Sequence, residues 1–344
     1  MATNSIKEVA RMAGVSIGTV SNVLNRPDLV APATRERVQE AIRALGYVRN
    51  DSARQLRAGH SRTVAVVVLD VSNPFFTDVV RGAEAALDDS GSMVIVCNSD
   101  EDPARERRHL DHLEEQRVRG LLITPVDDGS TARLDMLVRH GIPVILVDRG
   151  ARTRNRCSVA VDDVLGGRLA ATHLLERGHR RIAYVGGPMA IAQVADRHAG
   201  AAAVIAEHPQ ASLQLFEMPA LTTAYGRKAG EQIADATSSR RPTAVFCAND
   251  LLALGVLQEM TRRDLKVPGD IAIVGYDDIE YAGAAAVPLS SVAQPRELLG
   301  RTAAELLIGE IGDGSRHRHR QVLFEPELIV RDSSDSELSP SRHR

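Results

Sequence analysis

From residue 62 onward, short unbroken apolar runs alternate with stretches of helical periodicity, and this alternation constrains the fold more than any other feature of the chain. The first run, Val64-Ala65-Val66-Val67-Val68-Leu69, leads into a helical pattern over residues 74–89. A strand with one wet face alternates apolar and polar side chains. Continuous apolarity instead marks strands buried on both faces, with the intervening helices as cover. Further strands are expected at 93–97, 121–123, 144–147, 159–161, 182–185, 244–247 and 271–274. Their number calls for an α/β body of two doubly wound parallel-sheet subdomains, whose ligands sit beyond the carboxyl ends of the strands.

Polar residues collect at those ends: Asp70, Asp148 with Arg149, Asp162, Asn249 with Asp250, and Asp277 with Asp278. Carboxylates and amides form paired hydrogen bonds and a guanidinium donates in a planar fork, so the set suits a small ligand rich in hydroxyls, such as a sugar. An Asp after a strand can equally cap the next helix, and Asp163 and Asp278 are assigned that role. Phe75 and Phe76 could stack on a ligand face or simply face the core.

A chain of 344 residues exceeds one compact core, and its first 48 residues read differently from the rest. Ser5-Ile6-Lys7-Glu8 has capping-box spacing and opens a short helix with Ile6, Val9, Ala10 and Ala13 on one face. Gly14 breaks it, Ser16 is placed to cap a second helix, and a third runs from Pro32 to Gly46. Three helices with a tight turn suit a helix-turn-helix, although a packing or protein-binding module shows the same pattern. In the DNA-binding reading Ile17, Gly18, Ser21 and Asn22 meet base edges, and Ser16, Thr19 and Asn25 meet phosphates. Residues 1–60 carry nine Lys/Arg against five Asp/Glu, a balance of +4, and the remaining 33 basic and 40 acidic residues leave the body at −7. That split suits a head that meets phosphate and a body that does not. Residues 49–61 read as linker holding a marginal helix that could fold on binding.

The segment AGVSIGTVSNVLNRPDLVAPATRERVQEAIRALGYVRNDSARQLRAG resembles the head and hinge of the LacI/GalR family of bacterial repressors, and the similarity continues to about Arg331. The resemblance implies a hinge helix at 50–59 that inserts Leu56 into the minor groove, with Ala53 and Arg57 also on DNA. It also implies a type I periplasmic-binding-protein-like sensor over 62–331, with one subdomain of 62–161 plus 293–321 and the other of 162–292 plus 322–331. By the same resemblance, DVSNPFF, VDR, ADRHAG, CANDLLALG, GYDDIEYAG and SVAQP bring Phe75, Phe76, Asp148, Arg149, Arg197, Asn249, Asp250, Asp277 and Gln294 to the effector. Two departures stand out: Ala31 replaces a hydroxyl cap, and Ile17-Gly18 replaces polar base-reading residues. No stacking aromatic lies near Ala220, which favours a sugar or polyol over a flat purine.

The expected protein is thus a cytoplasmic, homodimeric transcriptional regulator that binds a pseudo-palindromic operator under a small effector. No cofactor, metal or membrane partner is expected. A sugar-binding protein or an α/β enzyme without a DNA role is the alternative, but the chain has no Walker loop or HExxH motif, and its one G-x-S-x-G spacing, Gly14-Val15-Ser16-Ile17-Gly18, falls in the helical head rather than at a strand-to-helix elbow of the α/β body. Cys97, Cys157 and Cys247 are widely spaced and read as free thiols. His173, Glu176 and His179 have only a superficial metal spacing, RHRHR at 316–320 reads as a solvated loop, and the polar tail 332–344 reads as disordered.

Overall fold

The computed structural model describes residues 5–47 and 61–335, which fall into a head and a body joined near residue 61. The expected hinge contacts Ala53, Leu56 and Arg57 lie outside the described residues.

In the head, α1 (Ile6–Ala13), α2 (Ile17–Asn25) and α3 (Pro32–Leu45) enclose a core of Val9, Ala10, Ala13, Val20, Val23, Val38 and Ala41. The capping box forms: the Ser5 backbone N–H donates to Glu8 Oε2 at 2.6 Å. Gly14 (φ 64°) and Gly46 (φ 58°) close α1 and α3 in the left-handed region that a Cβ disfavours. Ala31 caps α3 with no side-chain bond, and Pro32 supplies the first helical residue instead.

In the body, strands β1 (Thr63–Val68), β2 (Met93–Asn98), β3 (Gly120–Ile123), β4 (Val144–Val147) and β5 (Ser158–Val161) join β11 (Gln321–Phe324) in one parallel sheet, ordered β11-β5-β4-β3-β1-β2. The second sheet, β12-β10-β9-β8-β6-β7, contains β6 (Arg181–Gly186), β7 (Ser212–Glu217), β8 (Ala244–Cys247), β9 (Ala272–Asp277), β10 (Ser290–Ala293) and β12 (Glu327–Ile329). Only β12 runs antiparallel among the described strands of this sheet. The intervening helices are α4 (Pro74–Asp88), α5 (Pro103–Glu115), α6 (Thr131–Arg139), α7 (Asp163–Glu176), α8 (Ala192–Ala206), α9 (Thr223–Asp235), α10 (Asp250–Arg262), α11 (Glu280–Ala284) and α12 (Arg296–Asp313). The chain passes twice between the lobes after β10, so α12 packs on α4 in the first lobe.

Every strand expected from an apolar run is present. The missed ones lack such runs. β7, β11 and β12 are sheet edges whose residues are exposed or half-buried throughout, and β10 carries buried serines. Two boundaries need correction. Val322–Phe324 pair with β5 in the first sheet, so the second subdomain resumes only after β11. The tail is ordered through its first residues: Ser333 Oγ donates to the Ile273 carbonyl at 2.6 Å, Ser334 Oγ meets His173 Nε2 at 2.7 Å, and Asp335 pairs with Arg177 at 2.6 Å. Hydroxyls that satisfy buried backbone groups can enter a core without apolar surface. His179 Nδ1 meets Thr243 Oγ1 at 3.1 Å.

Candidate effector cleft and DNA-reading head

The cleft lies between the carboxyl ends of the two sheets. A narrow pocket there is lined by Leu69, Asn73, Phe75, Phe76, Asp148, Ile191, Gln193, Val194, Arg197, Leu221, Asn249 and Asp277. Arg197 on α8 is its organising cation. The guanidinium donates from Nε to Asp163 Oδ1 and from Nη1 to the Ala248 carbonyl, each at 2.7 Å, and Cζ lies 3.7 Å from the centroid of the Tyr276 ring. Asp277 stands 3.8 Å from Nη1. Phe75 and Phe76 meet edge to face at 4.9 Å and form one apolar wall.

Several bonds cross between the lobes. Asn73 Nδ2 reaches Asp277 Oδ2 at 3.1 Å, and Gln193 Nε2 donates to Asp148 Oδ2 at 3.0 Å and to its carbonyl at 2.6 Å. Arg296 on α12 donates to the Asp277 carbonyl at 2.6 Å while its Nε holds Asp78 at 2.9 Å. Asp148 Oδ1 and Gln193 Oε1 are buried without a protein partner, acceptors that a ligand hydroxyl could satisfy. Asp148 (φ 54°) and Asp277 (φ 101°) both leave their strands in the left-handed region, a backbone strain that collects at ligand sites.

Several expected ligands are placed differently. Asp162, not Asp163, caps α7 by accepting from the Leu165 N–H at 2.9 Å, and Asp163 turns inward to Arg197. Asp278 is no cap; it pairs with Arg331 at 2.6 Å. Arg149 turns to Asp128 at 2.6 Å within its own lobe. Arg149 and Asp162 instead border an adjoining depression that also includes Asp148, Asp163 and Gln193. Asp250 is fully buried away from the cavity, accepting from Ser291 Oγ at 2.7 Å and the Ile279 N–H at 2.9 Å, and its burial pushes its carboxyl well above the usual range. Gln294 backs the site, donating to Asp277 Oδ1 at 2.8 Å. Asn249 lines the cavity and also caps α10. Asn73, Gln193 and Arg296 escaped sequence reasoning because they stand outside the strand-end positions that drew notice.

Three carboxylates around one guanidinium would carry excess negative charge, and their titration reflects it. Burial pushes Asp148 up to about 8, reinforced by Asp163, and pushes Asp277 up to about 6 against the pull of Arg197. Burial likewise raises Glu101 to about 7. Burial alone would lower Arg197, yet Asp163, Tyr276, Asp277 and Asp148 hold it well above its ordinary value. A carboxyl whose value is raised on folding contributes stability that is fully present below its unfolded value and is lost as pH rises from there through the folded value. Urea unfolding should therefore show the body losing stability as pH rises from about 5 to about 8, and Asp148→Asn should flatten the slope. A stability that rises across that window would contradict the assignment.

On the head, Ser16, Ile17, Gly18, Asn22 and Asn25 are exposed at α2, while Thr19 and Ser21 are half-buried. Ser16 Oγ accepts from the Thr19 N–H at 3.0 Å and meets the Thr19 hydroxyl at 2.9 Å. Asn25 folds back on Ser21, donating to its carbonyl at 2.8 Å. Asn22 and Ile17, the latter 44% exposed, present the amide and the apolar surface suited to adenine and a thymine methyl.

A helix-turn-helix head on a two-lobed, cleft-bearing body defines a ligand-responsive DNA-binding regulator. Residues 5–50 match the model of bacterial regulatory proteins of the lacI family, and 171–334 match a periplasmic binding protein-like domain. An HTH-type transcriptional repressor PurR of Aliivibrio fischeri (strain MJ11) is 34% identical over 336 residues, covering 96% of this chain and 98% of that one. The lac repressor dimer bound to operator and the anti-inducer ONPF superposes with a TM-score of 0.82 at 27% identity, over 97% of this chain and 99% of the other. The transcriptional regulator CelR in complex with cellobiose gives 0.70 at 32% identity, over 96% and 99%. The chain belongs to the LacI family of DNA-binding transcriptional repressors; its relatives are regulators rather than enzymes. Among the described residues, no helix is long and apolar enough to cross a membrane.

Proposed function

We propose that this repressor binds a pseudo-palindromic operator as a homodimer and is controlled by a small hydroxylated ligand of the sugar class that closes the cleft. The observation that carries the ligand class is the lining itself. Arg197, Asp148, Asp277, Asn73, Gln193 and Asn249 offer hydrogen-bonding groups around a cavity whose aromatic side chains are confined to the Phe75–Phe76 pair. Leu69, Ile191, Val194 and Leu221 complete the lining, so no second aromatic is there to sandwich a flat base. The cellobiose-bound CelR supports the same class. The relatives named PurR favour a purine as the second reading.

Two-fold symmetry of the protein imposes a two-fold operator, and ligand binding shifts the lobes and thereby the paired hinges. Regulation is bounded by the ligand's differential affinity for the two states. In the head, Ser16, Thr19 and Asn25 hold phosphates, Ile17, Gly18, Ser21 and Asn22 read bases, and Leu56 wedges the minor groove beside Ala53 and Arg57.

Genomic DNA captured on the purified protein at moderate salt should yield a short inverted repeat. Release of that DNA by sugars, with purine bases as comparison, decides between the readings; release by a purine alone would overturn the sugar assignment. Asn22→Ala should cost about 1–3 kcal/mol of discrimination at one operator position, read by competition between operator variants. Equal loss on every sequence would mean a phosphate contact instead.

A further inference from the structure

The alternation Arg316-His317-Arg318-His319-Arg320 does not behave as a solvated loop. In an extended chain, residues two apart share a face; here the arginines are exposed while the two histidines turn inward onto Cys157 at the start of β5. The register β5–β11, with Gln321 opposite Ser158, brings Cys157 beside this segment, and the Arg320 N–H donates to Cys157 Sγ at 3.3 Å. The last turns of α12 add Glu310.

We propose that Cys157, Glu310, His317 and His319 form a binding site for a borderline-soft divalent metal ion of the Zn²⁺ type.

The geometry rests on one atom from each residue. Cys157 Sγ lies 3.2 Å from His317 Nε2 and 3.8 Å from His319 Nδ1. Glu310 Oε2 lies 3.9 Å from the same His317 nitrogen and 3.7 Å from the same His319 nitrogen. All four atoms fall within 4.8 Å of one another. Zinc bonds of about 2.0–2.3 Å set the edges of a ligand tetrahedron at about 3.3–3.8 Å, close to the four separations above. A thiolate, two imidazoles and one carboxylate select a zinc-like ion over magnesium or calcium, which take oxygen ligands. Glu310 Oε2 is buried without a hydrogen-bond partner, a cost that a cation would remove. Asp313 Oδ2 stands 3.7 Å from His317 Nδ1, where a carboxylate orients a metal-bound imidazole. The His319 side chain is 27% exposed, which gives an ion an entry path. The site lies at the amino end of β5, and the effector cleft lies beyond its carboxyl end. A bound ion would clip α12, β11 and β5 together without entering that cleft.

The full chain, freed of metal by chelation, should bind one Co²⁺ with a thiolate-to-cobalt band in the near ultraviolet and tetrahedral ligand-field bands in the visible. Zn²⁺ should displace it. Cys157→Ser should remove the charge-transfer band, and Cys97→Ser should keep it. His319→Ala, at a partly exposed position and with folding checked by its melting curve, should weaken Zn²⁺ binding by at least about ten-fold. Absence of stoichiometric binding, a band that survives Cys157→Ser, or an unchanged affinity in His319→Ala would each overturn the site and leave the cluster as hydrogen bonds or adventitious histidine binding.

Discussion

Arg197→Ala is expected to abolish the effector response and to destabilise the body by about 3–5 kcal/mol in urea unfolding near neutral pH. The side chain is 5% exposed and makes two 2.7 Å hydrogen bonds, so its removal leaves Asp163 buried without its cation and the Ala248 carbonyl without its donor. An unpaired buried charge costs more than the intact pair contributes, because desolvation no longer has a Coulombic return. Asp163 would respond by staying protonated to higher pH, in the direction its burial already drives it. Arg197→Lys should recover only part of the loss, since an ammonium can neither fork between Asp163 and Ala248 nor stack flat on Tyr276. Operator binding by the head should persist while the variant remains folded. A wild-type urea midpoint, or an intact effector response, would remove Arg197 from the centre of the site.

The lobes and their sheets were legible because strands buried on both faces leave continuous apolar runs, and Asp148, Arg197 and Asp277 were legible because strand ends and family motifs single them out. What escaped depended on neighbours distant in sequence. In Asp162-Asp163 both carboxylates sit at a helix start, and only the direction in which α7 begins decides which one caps and which faces Arg197. Gln193 and Asn73 are neutral amides with no local signature, and they matter because each spans the two lobes. Asp250 belongs to a strand-end motif yet points into the second lobe, where Gly275 leaves it room: a Cβ there would lie 2.0 Å from Asp250 Oδ1. The histidines at 317 and 319 looked solvated because Cys157, which gathers them, is some 160 residues earlier.

The largest effect outside the cleft is expected at the helix crossings, where each of three helix pairs meets through one glycine on each side. A Cβ on Gly82 would lie 2.0 Å from the Glu297 carbonyl oxygen and one on Gly300 only 1.8 Å from that of Val79, where α4 crosses α12. Gly167 and Gly200 repeat the arrangement between α7 and α8 at 2.0 Å each, and Gly226 and Gly255 between α9 and α10 at 2.2 Å each. Helix propensity favours Gly→Ala by about 1 kcal/mol. Against that stands a clash with backbone, which has no rotamer to yield and can be relieved only by moving two helices apart. Overpacking typically costs 1–3 kcal/mol and more when backbone must shift, so the clash should win and Gly300→Ala should lose about 2 kcal/mol or more net. Gly312 lies on the same helix with nothing within 4 Å of its would-be Cβ, so Gly312→Ala should gain up to about 1 kcal/mol. Urea midpoints of the two variants should therefore move in opposite directions. If both rise together, the close crossing is not what holds α12 against α4. If they diverge, the same close crossing explains how α7 and α8 are packed tightly enough to hold Asp163 and Arg197 at hydrogen-bond distance.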